Sequence, residues 1–256
     1  MKRRSLGWVA VLALLTPQGL YAAQASVAVA ANMMAPMKLI AQDFERRTGH
    51  KLALAFGATG QFYAQIRHGA PFAILLAADD ETPLKLEQEG LGVPGSRITY
   101  ATGKLVLWSP KPGLVDAQGA VLRSGPFDKI AVANPKLSPY GAAAMQVLDK
   151  MGLRERIAAK MVEGSNITQT FQFASSENAP LGFIALSQVY ENGKITKGSA
   201  WVVPSAMHAP LKQDAVLLSA GKGNAAASEL LKYLQSDKAK AVIRSFGYEV
   251  QASAKD

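Results

Sequence analysis

Short apolar runs that do not alternate are the feature that most constrains this chain. Val27 to Ala31, Phe72 to Ala78, Ile130 to Ala133 and Phe183 to Leu186 are apolar throughout. A strand with one wet face alternates polar and apolar residues. A run that is apolar at every position has both faces covered, as a strand does in a parallel sheet between two layers of helix. The segments between the runs read as those helices. Met37, Ile40, Ala41 and Phe44 form one stripe at helical spacing, and Gly49 is a natural stop. Gln61 to Arg67, Thr82 to Glu89, Ala142 to Met151, Ala225 to Leu234 and Ala239 to Phe246 follow the same logic. Leu52 to Phe56, Lys104 to Trp108, Ala200 to Val203 and Ala215 to Leu218 add further strands. Such alternation predicts an α/β fold.

One block of this pattern is repeated. Val27-Ala-Val-Ala-Ala-Asn32 and Ile130-Ala-Val-Ala-Asn134 are both strands that end in Asn, with a Pro and a helix beyond. Two lobes built alike are expected, each of a size that a chain of 256 residues can supply. Open α/β sheets bind ligands beyond the C-terminal ends of their strands, so two facing lobes would place a ligand in the cleft between them.

The N-terminus reads as an export signal. Lys2, Arg3 and Arg4 precede an apolar stretch from Leu6 to Leu15, too short to span a bilayer, and Ala23-Gln24-Ala25 offers a cleavage site. Removing residues 1–25 would leave 231 residues and reduce the net charge from +9 to +6. The chain has no Cys, which excludes a disulfide scaffold, a thiol nucleophile, a Cys-based metal site and the usual lipoprotein anchor. The expected product is exported, periplasmic and free of the membrane after signal cleavage.

Signals for catalysis are sparse. The three His residues (His50, His68 and His208) are too far apart in sequence to form a local ligand pair. No G-x-S-x-G elbow occurs. Gly90-Leu-Gly-Val-Pro-Gly95 has dinucleotide-loop spacing but follows a helix and opens none, so it reads as a loop. Asp79, Asp80 and Glu81 read as helix-start residues rather than a metal cluster. Basic residues are scattered, with no aromatic–basic stripe for nucleic acid. What recurs is a strand end with small or hydroxyl residues before a helix: Ala31-Asn32, Gly57-Ala-Thr-Gly60, Ser138-Pro-Tyr-Gly141 and Gly164-Ser-Asn-Ile-Thr168. Each presents free N–H groups at a helix N-terminus, and several together make a charge-free anion site.

These segments, in order, carry a family resemblance. Val29-Ala-Ala-Asn32, Phe56-Gly-Ala-Thr-Gly60, Gly69-Ala-Pro71, Ala77-Ala-Asp79, Lys104-Leu-Val-Leu107, Asn134-Pro135 with Pro139-Tyr-Gly141, and Ala179-Pro-Leu-Gly182 are its markers. Over Val27 to Gly247 the chain resembles the periplasmic molybdate-binding proteins of bacterial ABC importers. The resemblance implies the type II periplasmic binding protein fold: two α/β lobes with mostly parallel sheets, helices on both faces and the ligand in the interlobe cleft. It implies a signal peptide over 1–25, a first lobe from 26–104 plus 208–256, and a second lobe over 105–207.

The implied ligand is molybdate or tungstate, held by Asn32, Thr59, Tyr140 and Ile167, with Ala31, Ala58 and Asn166 as second choices. No catalytic residue, cofactor or metal other than the oxyanion is implied. The implied partners are an inner-membrane permease and its ATPase subunits, reached by hinge closure of a monomer. Two positions depart from the pattern. Ala73 stands where the family usually has Asp, and Ala185 where some members have a ligand-contacting Tyr. Another oxyanion or small solute, a sensory or adhesive module, and an exported enzyme remain as alternatives at this level.

Overall fold

The computed structural model describes residues 22–191 and 193–250. The basic and apolar parts of the expected signal segment lie outside them. Strands β1 (Gln24–Ala30), β2 (Lys51–Gly57), β3 (Ile74–Leu76) and β4 (Ile98–Gly103) come first, with helices α1 (Met34–Thr48), α2 (Thr59–Arg67) and α3 (Glu81–Gln88) between them. The chain then crosses into β5 (Leu105–Ser109), α4 (Val121–Ser124), β6 (Ile130–Ala133), α5 (Pro139–Lys150), α6 (Arg154–Ala158), β7 (Met161–Gly164), α7 (Ile167–Ser175) and β8 (Leu181–Ala185). A two-strand ribbon, β9 (Tyr190–Glu191) with β10 (Lys194–Ile195), precedes β11 (Ser199–Val202). The chain crosses back into β12 (Leu211–Leu217) and ends in α8 (Ala225–Leu234) and α9 (Asp237–Ser245).

The strands form two five-stranded sheets, one in the order β2-β1-β3-β12-β4 and the other in the order β7-β6-β8-β5-β11. The two orders are equivalent, strand for strand. In each, a central strand pairs in parallel with two neighbours: β1 with β2 and β3, and β6 with β7 and β8. In each, one strand is reversed and pairs antiparallel on both sides: β12 between β3 and β4, and β5 between β8 and β11. The repeated sequence block falls on β1 and β6, which occupy the same place in the two sheets.

Each sheet is therefore mostly parallel, as expected, with one reversed strand, β12 in the first and β5 in the second. β5 and β12 are the first strands after the two crossings. Each enters its sheet from the far side and runs against its neighbours.

Burial explains the unbroken apolar runs. Val27 and Val29 pack with Met37, Ile40 and Phe44 on one face of the first sheet. Ala28 and Leu75 pack with Phe62 and Leu86 on the other. In the second sheet, Leu105, Leu107, Ile130 and Val132 meet Val147 and Leu148, while Val106 and Ile184 face the opposite side with Ala174.

Some boundaries move. α5 starts at Pro139 rather than Ala142, because Pro is well suited to the first helical position. β1 starts at Gln24, and Ala25 is fully buried and paired with Leu52. Cleavage after Ala25 would take two paired residues from that strand. Among the described residues, no helix is long and apolar enough to cross a membrane.

Candidate anion-binding cleft

The C-terminal ends of β1, β2, β3 and β6 point at one narrow gap between the sheets. None of the residues lining the gap is charged. Ala31, Asn32, Ala58 and Thr59 line it from the first sheet, and Ser138 and Ile167 face them from the second. Of the residues expected at the site, Tyr140 and Asn166 do not line the gap, although Pro139, adjoining Tyr140, does.

Each helix start can be followed donor by donor. The first N–H groups of a helix have no acceptor inside it. At α2, the Ala58 N–H donates to Gln61 Oε1 at 3.1 Å, so this second choice is already satisfied. Thr59 follows it as the first helical residue. The Thr59 Oγ1 accepts the Ala78 N–H at 3.0 Å, and its hydroxyl hydrogen remains available. At α5, Pro139 has no N–H, so the first donor is Tyr140. At α7, Asn166 Oδ1 accepts the N–H groups of Thr168 (3.0 Å) and Gln169 (3.1 Å) and leaves that of Ile167 unclaimed. Gln188 fixes this end of α7: its Nε2 donates to Ile167 O at 3.0 Å while its Oε1 accepts the Ala185 N–H at 3.0 Å.

The Asn32 side chain is engaged elsewhere. Its Nδ2 donates to Gln213 Oε1 at 2.7 Å and to Tyr248 Oη at 2.9 Å, so both amide hydrogens are spent away from the gap. Its carbonyl oxygen accepts Ser187 Oγ–H at 2.9 Å and lies 2.9 Å from Tyr248 Oη. What Asn32 and Ala31 can offer the gap is backbone N–H from the 3-10 turn at residues 31–33. The sequence reading missed Ser138 as a side chain. It is buried, lines the gap and does not cap α5. Its place before a Pro at a helix start was the available signal.

The Tyr140 side chain points away from the gap. It is fully buried, its hydroxyl has no hydrogen-bond partner among the described residues, and a Cβ built at Gly103 would lie 2.2 Å from that oxygen. Burial holds the Tyr140 hydroxyl pKa well above the ordinary range, so the group stays neutral.

A wider groove borders the gap and contains Asp79, Asp80 and Lys212. Asp79 accepts Thr82 N–H at 2.8 Å and lies 3.2 Å from Thr82 Oγ1, while Asp80 pairs with Lys212 at 2.7 Å. Burial raises the Asp79 pKa to about 6. The acidic trio therefore serves the start of α3 and one ion pair, and no group suited to holding a metal ion occurs among the described residues.

The three His residues are apart and have structural partners. His50 accepts the Ala23 N–H and lies 3.0 Å from Glu229. His68 and His208 bond to the carbonyls of Ala64 and Ala209. Of the two departures from the family pattern, Ala73 sits at the N-terminal end of β3, away from the gap, where its N–H donates to Ser26 O at 2.7 Å.

Two matching α/β sheets with a charge-free cleft between them, ringed by helix N-termini, define a two-lobed solute-binding protein. The chain matches the family described as bacterial extracellular solute-binding protein over residues 25–249, and it belongs to that family. It is 58% identical over 230 residues to the molybdate-binding protein ModA of Azotobacter vinelandii, covering 90% of this chain and 91% of that protein. It is 48% identical to the molybdate-binding protein ModA of Rhodobacter capsulatus, covering 89% and 88% of the two chains. The solved structure of the Azotobacter vinelandii periplasmic molybdate-binding protein superposes with a TM-score of 0.86 at 39% identity, covering 89% of this chain and 100% of that one.

Proposed function

We propose that this protein binds molybdate, and tungstate with it, and delivers the anion to an ABC permease and its ATPase subunits in the inner membrane. The observation that carries the reading is the convergence of four helix or turn starts, from both sheets, on a gap with no charged side chain. A buried cation would bring a large desolvation cost, whereas neutral donors fixed at helix ends stabilise a dianion and release it intact. Relatives named as molybdate-binding proteins, at 58% and 48% identity, supply the choice of anion.

The proposed donors are the N–H groups of Ala31 or Asn32, Thr59, Tyr140 and Ile167, joined by the Thr59 and Ser138 hydroxyls. Lobe I comprises 26–104 and 208–256, lobe II comprises 105–207, and the two close over the anion about the crossings. The protein acts as a periplasmic monomer after its signal segment is removed. It turns nothing over and needs no cofactor. Molybdate and tungstate have the same charge and shape and nearly the same size, so fixed donors treat them alike. Sulfate is smaller and leaves those donors too far away.

Calorimetric titration of the mature protein with molybdate, tungstate, sulfate and phosphate tests this. The expected outcome is tight binding of the first two and an upward shift in melting temperature with each, since a ligand that binds only the native state stabilises it. No heat and no shift with molybdate would reject the reading.

A further inference from the structure

The second residue of α2, Gly60, stands at the seam between the two halves. Its N–H donates to Leu137 O at 2.9 Å, a main-chain bond across the cleft. A Cβ built on Gly60 would lie 3.0 Å from Leu137 Cα, 3.1 Å from Leu137 O and 3.3 Å from Lys136 O. Beyond its chain neighbours and the backbone of its own helix, these are the three nearest atoms, and all are backbone atoms of the opposite half. Gly60 is not among the glycines with positive φ, so its conformation is open to any residue. Outside its own helix, no atom of its own half comes closer to that position than these, and glycine weakens a helix relative to alanine.

The opposing turn is firmly held. Asn134 O accepts the N–H groups of Leu137 (3.1 Å) and Ser138 (2.8 Å), and Asn134 Oδ1 accepts the Lys136 N–H at 2.9 Å. A methyl group pressed on this turn therefore shifts the halves apart rather than the turn alone. The same turn leads into Ser138 and the start of α5, so its distance from α2 sets the spacing between donors on the two sides of the anion.

We infer that Gly60 is an affinity-determining positioning residue: its missing side chain lets the halves close to the separation at which donors from both sides reach one anion. It touches no ligand and acts through Leu137. The inference rests on the anion-binding reading above, and its test separates the two.

Because the chain has no Cys, Gln88→Cys and Glu155→Cys on the exposed surfaces of α3 and α6 give unique sites for spin labels. Distance distributions between them are recorded for the labelled parent, for Gly60→Ala and for Thr59→Ala, without ligand and with saturating molybdate. Melting temperature and molybdate affinity are measured alongside. For Gly60→Ala the expected result has opposite signs. The ligand-free protein melts at the same or a higher temperature, while affinity falls by about tenfold or more, a loss of at least about 1.4 kcal/mol. Its saturated distribution also retains a long-distance population. Thr59→Ala loses affinity too, but at saturation it reaches the parent's short distance.

A Gly60→Ala protein that closes and binds as the parent does would overturn the inference, and so would one that melts lower without ligand. If the parent itself binds no molybdate, the functional reading fails. The ligand-free distributions then decide: fewer closed molecules in Gly60→Ala support the role of Gly60, and identical distributions overturn it.

Discussion

Thr59 gives one hydroxyl two tasks: its oxygen takes the Ala78 N–H, and its hydrogen is free for the cleft. Thr59→Val removes both at nearly constant shape and should weaken molybdate binding by about 1–3 kcal/mol. Thr59→Ser keeps both and should bind within a few-fold of the parent; titration of the two variants side by side checks this. Asp79 has a pH signature of its own. Its folded pKa of about 6 lies above the ordinary value of 3.8, so between the two the native state holds a proton that the unfolded chain has lost. Its contribution to stability is favourable below that window and is lost as pH rises from about 4 to about 6. At about 1.4 kcal/mol per unit, the loss is at most about 3 kcal/mol. Asp79→Asn should lack this component, and urea unfolding at pH 4, 5, 6 and 7 would show the parent losing stability relative to the variant. Asn32 shows where sequence reasoning stopped at this scale. Its amide partners, Gln213 and Tyr248, lie 181 and 216 positions away, and only the folded chain reveals that its hydrogens are spent.

The helices that point at the cleft depend on how closely they sit against the sheets. At α5, a Cβ added to Gly141 would lie 2.1 Å from Ala133 O and 2.8 Å from Ala133 C. Both are backbone atoms of β6 and cannot rotate away. Gly141→Ala should therefore lower stability by about 1–3 kcal/mol in urea unfolding and weaken anion binding as well, because the start of α5 moves off the gap. At α7, Asn166→Ala removes an N-cap and should cost about 1 kcal/mol of stability. The segments that open these helices were legible because Pro, Asn and small residues mark them, although the first residue of α5 was placed three positions late. β4 and β7 were not, because Ile98–Gly103 and Met161–Gly164 mix exposed or half-exposed positions with buried ones and lack the unbroken apolar run that marks β1 and β6. The antiparallel placement of β5 and β12 was hidden as well, since strand direction is set by the crossings and not by composition.

Across the whole molecule, positive charge and the binding gap are separate. The sequence carries a net charge of +9, of which Lys2, Arg3 and Arg4 lie in the expected signal segment, yet no residue lining the gap is charged. The remaining surplus acts at a distance, by drawing dianions toward the protein. The association rate for molybdate should therefore fall as ionic strength rises, while the dissociation rate changes little; stopped-flow measurements at low and high salt distinguish the two. The two-lobe plan was readable from the echo of one strand and its Asn, because equivalent central strands buried on both faces call for similar residues.

The first sheet is built from residues 24–103 plus β12, which lies between β3 and β4. The second sheet is continuous in sequence. A chain that emerges N-terminus first can thus finish its second half while the first still has a vacancy at its fourth strand. The order in which the two sheets can be completed is therefore the reverse of the order in which they are begun, and the half that supplies Asn32 and Thr59 is whole only once Leu211–Leu217 is in place.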